Sequence, residues 1–380
     1  MGDSPKSGVN VLLVADPGLP TARARSIQED LQELLYEAFS PPITLNVQTA
    51  MLRLRPDNSL DLSDAVELAR EYGSTEAVLL LTEIPRLDDG HPLIAEIFPD
   101  ERIAVVSCPT LGAFFSRRRI LDTLMACTVR LKPTSEPRDP SMFDRSWLRW
   151  AQSPDSNDHS TLRARRFTGG LRTVLGMVAG NEPVKTAPRL SSALAAAAAT
   201  GAFGIFYNSI WVMSTYLSTP RLIGVGLLAI AAMTAWLIAS NGLWDSPERE
   251  TLARVVLLYN LSTVVTLVLC VLVLYTALVL LILAGGLIVI APEYMEDVTG
   301  QPPVFTRYLD IAWLSAAMGV VAGALGSSFD QRTDLKMLTH GQRERQRKYT
   351  EEASCTSAVG RSAASRCWAG CRRWRGPSRG

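Results

Sequence analysis

A chain of 380 residues with 38 basic and 37 acidic side chains, and so a formal net charge of +1, carries no polyanion-binding signal, which excludes nucleic acid as an expected partner. The length allows two domains, and the halves differ in kind: charges are mixed through residues 1–189 and vanish from long blocks between 190 and 329. The mean hydropathy of +0.13 therefore averages a polar half with a greasy one.

The first apolar run, Val9 to Ala15, is too short for a secretory h-region and has no A-x-A-like cleavage site, so this half is expected in the cytoplasm. Lys6 stands where an N-myristoylation motif wants Ser or Thr. Val9 to Ala15 is continuous, β-rich and closed by Asp16-Pro17-Gly18, which predicts a strand and a turn. Ile27, Leu31, Leu34 and Leu35 then predict a helix from about Thr21. Ile43 to Thr49 alternates like a second strand, and Ala65, Leu68 and Ala69 share one helical face. Ala77 to Leu81 and Ile103 to Ser107 are a third and fourth strand, with Leu93 to Phe98 an antiparallel edge hairpin beside the latter and a helix over 111–131. Strands apolar on both faces, alternating with helices, predict a cytoplasmic α/β domain over residues 1–131, a mostly parallel, Rossmann-like sheet covered by helices.

In such a sheet ligands sit beyond the carboxyl ends of the strands. Those ends are Asp16, Thr82-Glu83 and Ser107-Cys108, so the candidate ligand-binding residues are Asp16, Thr21, Glu83 and Cys108, with the Thr21 helix start offering N–H groups to an anion. The plainer reading has Asp16 and Thr21 capping a turn and a helix, and Cys108 filling core. Catalytic signatures are missing: the DPGLPT turn is neither G-x-G-x-x-G nor a Walker A loop, and no H-E-x-x-H or G-x-S-x-G occurs. His91, in DDGHP, reads as a hairpin turn, and a Cys108–His91 pair would need proximity in space. No catalytic residue, metal ligand or cofactor follows. Cys108, Cys127, Cys270, Cys355, Cys367 and Cys371 are scattered, which suggests reduced thiols and no disulfide framework.

Residues 132–189 read as a connector. Phe143, Trp147 and Trp150 interleave with Arg145 and Arg149, a pattern that suits a membrane interface or packs back on the α/β domain. Phe167, Leu171, Val174, Leu175 and Val178 then form one stripe of a helix with Arg163, Arg165, Arg166 and Arg172 beside it, an amphipathic juxtamembrane helix against the inner leaflet.

Four apolar segments follow: 190–213, 222–240, a span at 261–283 within the uncharged block Val255 to Ile290, and 311–329. That block is about 36 residues, well beyond the roughly 20 that a bilayer needs, yet it counts once. A single crossing keeps Arg163 to Arg189, Arg249, Arg254 and the basic stretch from Arg332 to Lys348 on the inner side, leaving only Arg221 and Arg307 outside. The expectation is an all-α four-helix transmembrane domain of the plasma (inner) membrane, with both termini cytoplasmic. Val255 to Asn260 would lie at the inner surface and Gly286 to Met295 at the outer one. Ser315, Gly319, Gly323 and Ser327 recur every fourth residue as a helix-packing face, whose partner is Ala193, Ala197 and Gly201 or a second copy. Beyond a basic helix at 330–353, residues 354–380 read as a disordered tail from a frameshifted gene.

Five phrases, SCPTLGAF (107–114), GMVAGNEP (176–183), NGLWD (241–245), LYNLSTVVTL (258–267) and GALGSS (323–328), resemble a group of uncharacterised actinobacterial integral membrane proteins with a cytoplasmic N-terminal module. The resemblance covers roughly residues 9–348 and implies no catalytic residues. Such proteins are sometimes labelled methylene-tetrahydrofolate dehydrogenase/cyclohydrolase, but the signature loops and catalytic lysine motif of those enzymes are not visible in this chain. The first functional expectation is a non-enzymatic membrane-tethered sensor, scaffold or docking protein, partnered by the lipid bilayer and by a second copy or another membrane protein. The alternatives are a membrane-anchored enzyme or small-ligand binder at the strand ends, and a facilitated transporter, which the lack of intramembrane charge disfavours.

Overall fold

The computed structural model describes residues 9–53, 61–72, 75–114, 116–131, 138, 150–152, 160–186, 191–246 and 253–326. Ser327, His159, the connector residues Phe143, Arg145, Trp147 and Arg149, the basic stretch 330–353 and the tail 354–380 lie outside the described residues. From the N-terminus the elements are β1 (Val9–Ala15), α1 (Leu19–Ala38), β2 (Ile43–Thr49), α2 (Ser63–Glu71), β3 (Ala77–Thr82), β4 (Arg86–Asp88), β5 (His91–Phe98) and β6 (Ile103–Ser107). Then come α3 (Cys108–Leu111), α4 (Ser116–Arg130), β7 (Trp150–Gln152), β8 (Ser160–Arg163), α5 (Arg166–Gly180) and α6 (Pro183–Thr186).

The strands join in one sheet of order β2-β1-β3-β6-β5-β8-β7, with β4 paired to β5. The four strands β2, β1, β3 and β6 are parallel, and alternate residues of β1 feed two different cores. Val9, Val11, Leu13 and Ala15 pack under α1 and α4, against Ile27, Leu31, Leu35, Leu124 and Met125. Leu12 and Val14 pack on the other face with Ala65, Val78, Leu80 and Val105. Burial on both faces is why β1, β3 and β6 lack polar alternation, whereas β2, at the edge, keeps it.

Beyond β6 the sheet turns antiparallel through β5, β8 and β7, so it is mixed rather than mostly parallel. The cause lies between β3 and β6, where a hairpin replaces a crossover helix. Asp89 and Gly90 sit at φ 47° and 73° between the paired residues Asp88 and His91, the backbone that an Asp-Gly hairpin turn requires. Nor is β5 an edge. It is covered by β8, drawn from residues read as connector, so the sheet runs past the boundary at 131. In β7, Trp150 receives the Arg130 guanidinium over its ring, 4.5 Å from the centroid, which ties this part of the connector to the sheet domain.

The second half is helical: α7 (Ser191–Gly201), α8 (Phe203–Phe206), α9 (Asn208–Tyr216), α10 (Thr219–Asn241), α11 (Ala253–Val289), α12 (Pro292–Thr299) and α13 (Phe305–Gly326). Among the described residues two helices, α10 and α11, are long and apolar enough to cross a membrane. A third candidate is the bent pair Leu194–Phe206 and Asn208–Tyr216, which meet at 83°. Residues 190–213 are thus not one straight helix. At the break Tyr207 is extended, and the indole N–H of Trp211 donates to the Gly204 carbonyl at 2.9 Å, satisfying a group left open at the helix end. α11 is a single unbroken helix of 37 residues, about 55 Å at 1.5 Å per residue.

α13 packs on α7, α10 and α11, and small residues set the approach. A Cβ on Gly319 would come within 2.5 Å of the Ala197 carbonyl oxygen, and one on Gly204 within 1.7 Å of Ser315 Oγ. Tyr275 donates to the Trp313 carbonyl at 2.9 Å and stacks edge-on against that ring, joining α11 to α13.

Candidate functional site

The parallel strands all end on one side of the sheet, and Asp16 stands there, where β1 and β3 are neighbours. Its carboxylate is fully buried and accepts three hydrogen bonds: from the Leu52 amide at 2.9 Å, the Thr82 hydroxyl at 2.7 Å and the Glu83 amide at 3.0 Å. A carboxylate in that position gathers the chain leaving β1, β2 and β3, and charge-assisted bonds of this kind are the strong ones. Thr21 turns back onto the same residue, its amide and hydroxyl donating to the Asp16 carbonyl at 3.1 and 2.7 Å. The Thr21 amide is thereby engaged within the chain.

Cys108 lies beyond β6, close enough to feel the charges of Asp16 and Glu83. The four residues therefore share one neighbourhood, with a fifth that the sequence did not point to. Arg23, one helical half-turn past Thr21, reaches the Cys108 carbonyl at 3.4 Å, its sulfur at 3.7 Å and the Gly112 carbonyl at 3.1 Å. Its partner is 85 positions away, so only the fold brings them together. Burial pushes the Cys108 thiol up to about 11, and Arg23 opposes this without overcoming it. The thiol is protonated at neutral pH and is not an activated nucleophile. His91 stays in its hairpin turn, ring Nδ1 3.2 Å from the Asp89 carbonyl. Among the described residues no group of three His, Cys, Asp or Glu side chains is placed to hold a metal ion.

From this edge packing contacts lead directly into the helical half. α3 lies against α5 so closely that a Cβ on Gly176 would fall 2.2 Å from the Pro109 carbonyl oxygen. The far face of α5, Val174, Met177 and Val178, packs on Tyr259, Val255 and Leu258 of α11. The first turns of α11, expected at the inner membrane surface, seat α5. Deeper along α11, the Asn181 amide donates to Thr266 Oγ1 at 2.9 Å and the Cys270 thiol to the Pro183 carbonyl at 3.4 Å. Asn260 clasps Asp245 both ways, accepting from its amide at 3.0 Å and donating to its carbonyl at 2.8 Å. Just before it, Gly242 closes α10 in the left-handed conformation, with Leu243 N–H returning to the Ile238 carbonyl at 3.0 Å.

Four of the five phrases quoted above thus meet at one junction: 107–114 on 176–183, 176–183 on 258–267, and 241–245 on 258–267. Comparison with family models, with curated proteins and with solved structures returned no match.

Proposed function

We propose that this chain is a non-enzymatic, membrane-tethered sensor or docking protein, in which a Rossmann-like cytoplasmic module reports on, or presents itself according to, the state of a four-span bundle in the plasma membrane. The observation that carries this reading is the junction. The strand-end edge, where an α/β protein would ordinarily hold a ligand, continues through Pro109 and Gly176 into α5, and through Asn181 into the longest helix of the bundle. The polar groups at that edge are spent on one another. The Asp16 carboxylate accepts three hydrogen bonds from two other chain segments, and the Cys108 thiol is buried and protonated. α13, a helix of 22 residues that carries no charged side chain after Asp310 and packs on α7, α10 and α11, is taken as the fourth span, and the arginine distribution in sequence supports both termini inside.

Two measurements test the reading. Hydrogen exchange on the full-length protein in nanodiscs should show that Thr266→Val, inside the bundle, loosens amides of α3 and β6; exchange confined to α11 would refute coupling. Reporter fusions after residues 217 and 300 should be outside and one after 246 inside, and any other pattern rejects four spans. A second reading, a small anionic ligand held at the strand ends, draws on Arg23 at that edge. It predicts thermal stabilisation of the full-length protein by a nucleotide or folate that Asp16→Asn and Arg23→Gln both abolish.

A further inference from the structure

Three guanidinium groups converge on the turn that follows β6. Arg23 Nη2 donates to the Gly112 carbonyl, and Arg119 Nη1 to the Leu111 carbonyl at 3.3 Å. The stem of Arg172 lies across Gly112, whose φ of 96° and missing side chain make the room. Arg119 and Arg172 are near enough to repel, and Arg172 is half-buried with its Nε in contact with no hydrogen-bond acceptor among the described residues. No carboxylate among the described residues forms an ion pair with either. Two like charges held together and partly shielded from water are costly unless an anion stands between them. A phosphate suits paired guanidiniums, through parallel N–H···O contacts.

Beside this pair the surface is apolar. Phe167, Leu171 and Leu175, at successive i, i+4 positions of α5, are 87%, 62% and 39% exposed, and Phe114, two residues past Gly112, is 72% exposed. The adjoining face of α5, Val174, Met177 and Val178, is the one seated on Val255, Leu258 and Tyr259 of α11. The exposed stripe therefore flanks the base of a helix long and apolar enough to cross a bilayer. Apolar anchors beside cations, at that level, are complementary to a leaflet whose headgroups are negative and whose acyl chains begin just beneath.

We propose that Arg119 and Arg172 bind the phosphate of an anionic phospholipid, while Phe167, Leu171 and Leu175 enter the leaflet beside it. The site rests on the reading that α11 crosses a bilayer with the sheet domain at its N-terminal end. It adds a lipid of stated charge as the ligand that holds α5, and with it α3 and the strand ends, against the membrane.

The test uses the full-length protein, delipidated in detergent and titrated with phosphatidylglycerol or phosphatidylcholine by native mass spectrometry. Wild type should prefer phosphatidylglycerol, and Arg119→Gln/Arg172→Gln should lower that preference about thirtyfold, at roughly 1 kcal/mol per arginine near a charged surface. Arg117→Gln should leave it unchanged, because Arg117 is engaged with Asp30. Equal binding of the two lipids by wild type, or an undiminished preference in the double variant, overturns the proposal. So does displacement of phosphatidylglycerol by millimolar inorganic phosphate, which would mark a site for a soluble anion. If the double variant does not fold, Phe167→Ser/Leu171→Ser decides, since both side chains are exposed. Exchange protection of α5 in phosphatidylglycerol nanodiscs over phosphatidylcholine nanodiscs should fall in that variant, and unchanged protection refutes the site. Should the wild type fail to fractionate with membranes at all, the spanning reading fails rather than the lipid site alone.

Discussion

The Asn181 side chain, immediately after α5, donates to Thr266 Oγ1 in the middle of α11 at 2.9 Å, with both residues buried. This is a direct polar link between the segment leaving the sheet domain and the hydrophobic rod. Net hydrogen bonds of this sort contribute about 1 kcal/mol, and leaving one partner unsatisfied costs more than removing both. Asn181→Ala should therefore destabilise the detergent-solubilised protein by about 1–3 kcal/mol, and Asn181→Ala/Thr266→Val by less than the sum of the singles. A thermal-unfolding double-mutant cycle measures this, and strict additivity would mean the bond carries no coupling.

Asp16 gives a sharper prediction. In Asp16→Asn one carboxylate oxygen becomes a donor facing either the Leu52 amide or the pair formed by the Thr82 hydroxyl and Glu83 amide. Donor against donor should cost about 2–4 kcal/mol, and Asp16→Ala a similar amount, because buried amides lose a charged acceptor. Denaturant unfolding of the sheet domain within the full chain reads it. A change under about 0.5 kcal/mol would show that the carboxylate does not tie the three strand ends.

The buried thiols set a pH dependence. Burial pushes Cys127 up to about 12 and Cys108 to about 11, from an ordinary 9.0. A pKa raised on folding means that the contribution is fully present below pH 9 and is lost as pH rises through 11 and then 12. In that window the unfolded chain has released a proton that the native chain retains, so each thiol should lower stability by about 1.4 kcal/mol per pH unit. Cys127→Ala should flatten the curve between pH 9 and 12 relative to wild type while leaving its slope below pH 8 unchanged. Parallel curves up to pH 12 would count against a thiol held neutral by burial.

Helix packing offers a fourth test. Gly319 has no room for a side chain against the Ala197 carbonyl, a backbone atom that cannot rotate away. Gly319→Val should force α13 from α7 and cost about 1–3 kcal/mol by overpacking, seen as a lowered thermal midpoint in detergent. Gly224→Ala, where nothing lies within 4 Å, should be neutral or slightly stabilising because alanine is the better helix former. Equal effects at the two glycines would show that the close approach is not what their size serves.

The parallel half of the sheet was legible because Val9–Ala15, Ala77–Thr82 and Ile103–Ser107 are short continuous apolar runs, the pattern of strands buried on both faces. The hairpin turn was legible from Asp89-Gly90 alone. The antiparallel half was not: β7 and β8 have three and four residues, and what recruits them is the open side of β5 more than sixty positions earlier. The bend at Tyr207 was hidden for a similar reason. No proline or charge marks it, and the small residues that permit it, Gly201 and Gly204, matter through Ser315 and Ile282 on other helices. At the strand ends, Asp16 announced itself by position, whereas Arg23 looked like one more exposed helix arginine until the turn after β6 was placed beside it.

α11 is a rod of about 55 Å, some 25 Å longer than a hydrocarbon core, and one of its ends is gripped by α5 while Arg254 presses on Gly90 in the β4–β5 turn. A helix that long answers a thinner bilayer by leaning over. Such a lean would pass to the sheet without a hinge, since no break interrupts α11 between Ala253 and Val289. With α11 spanning as proposed, the thickness of the surrounding lipid would become a mechanical input to the α/β domain, delivered at the same edge where its strands end.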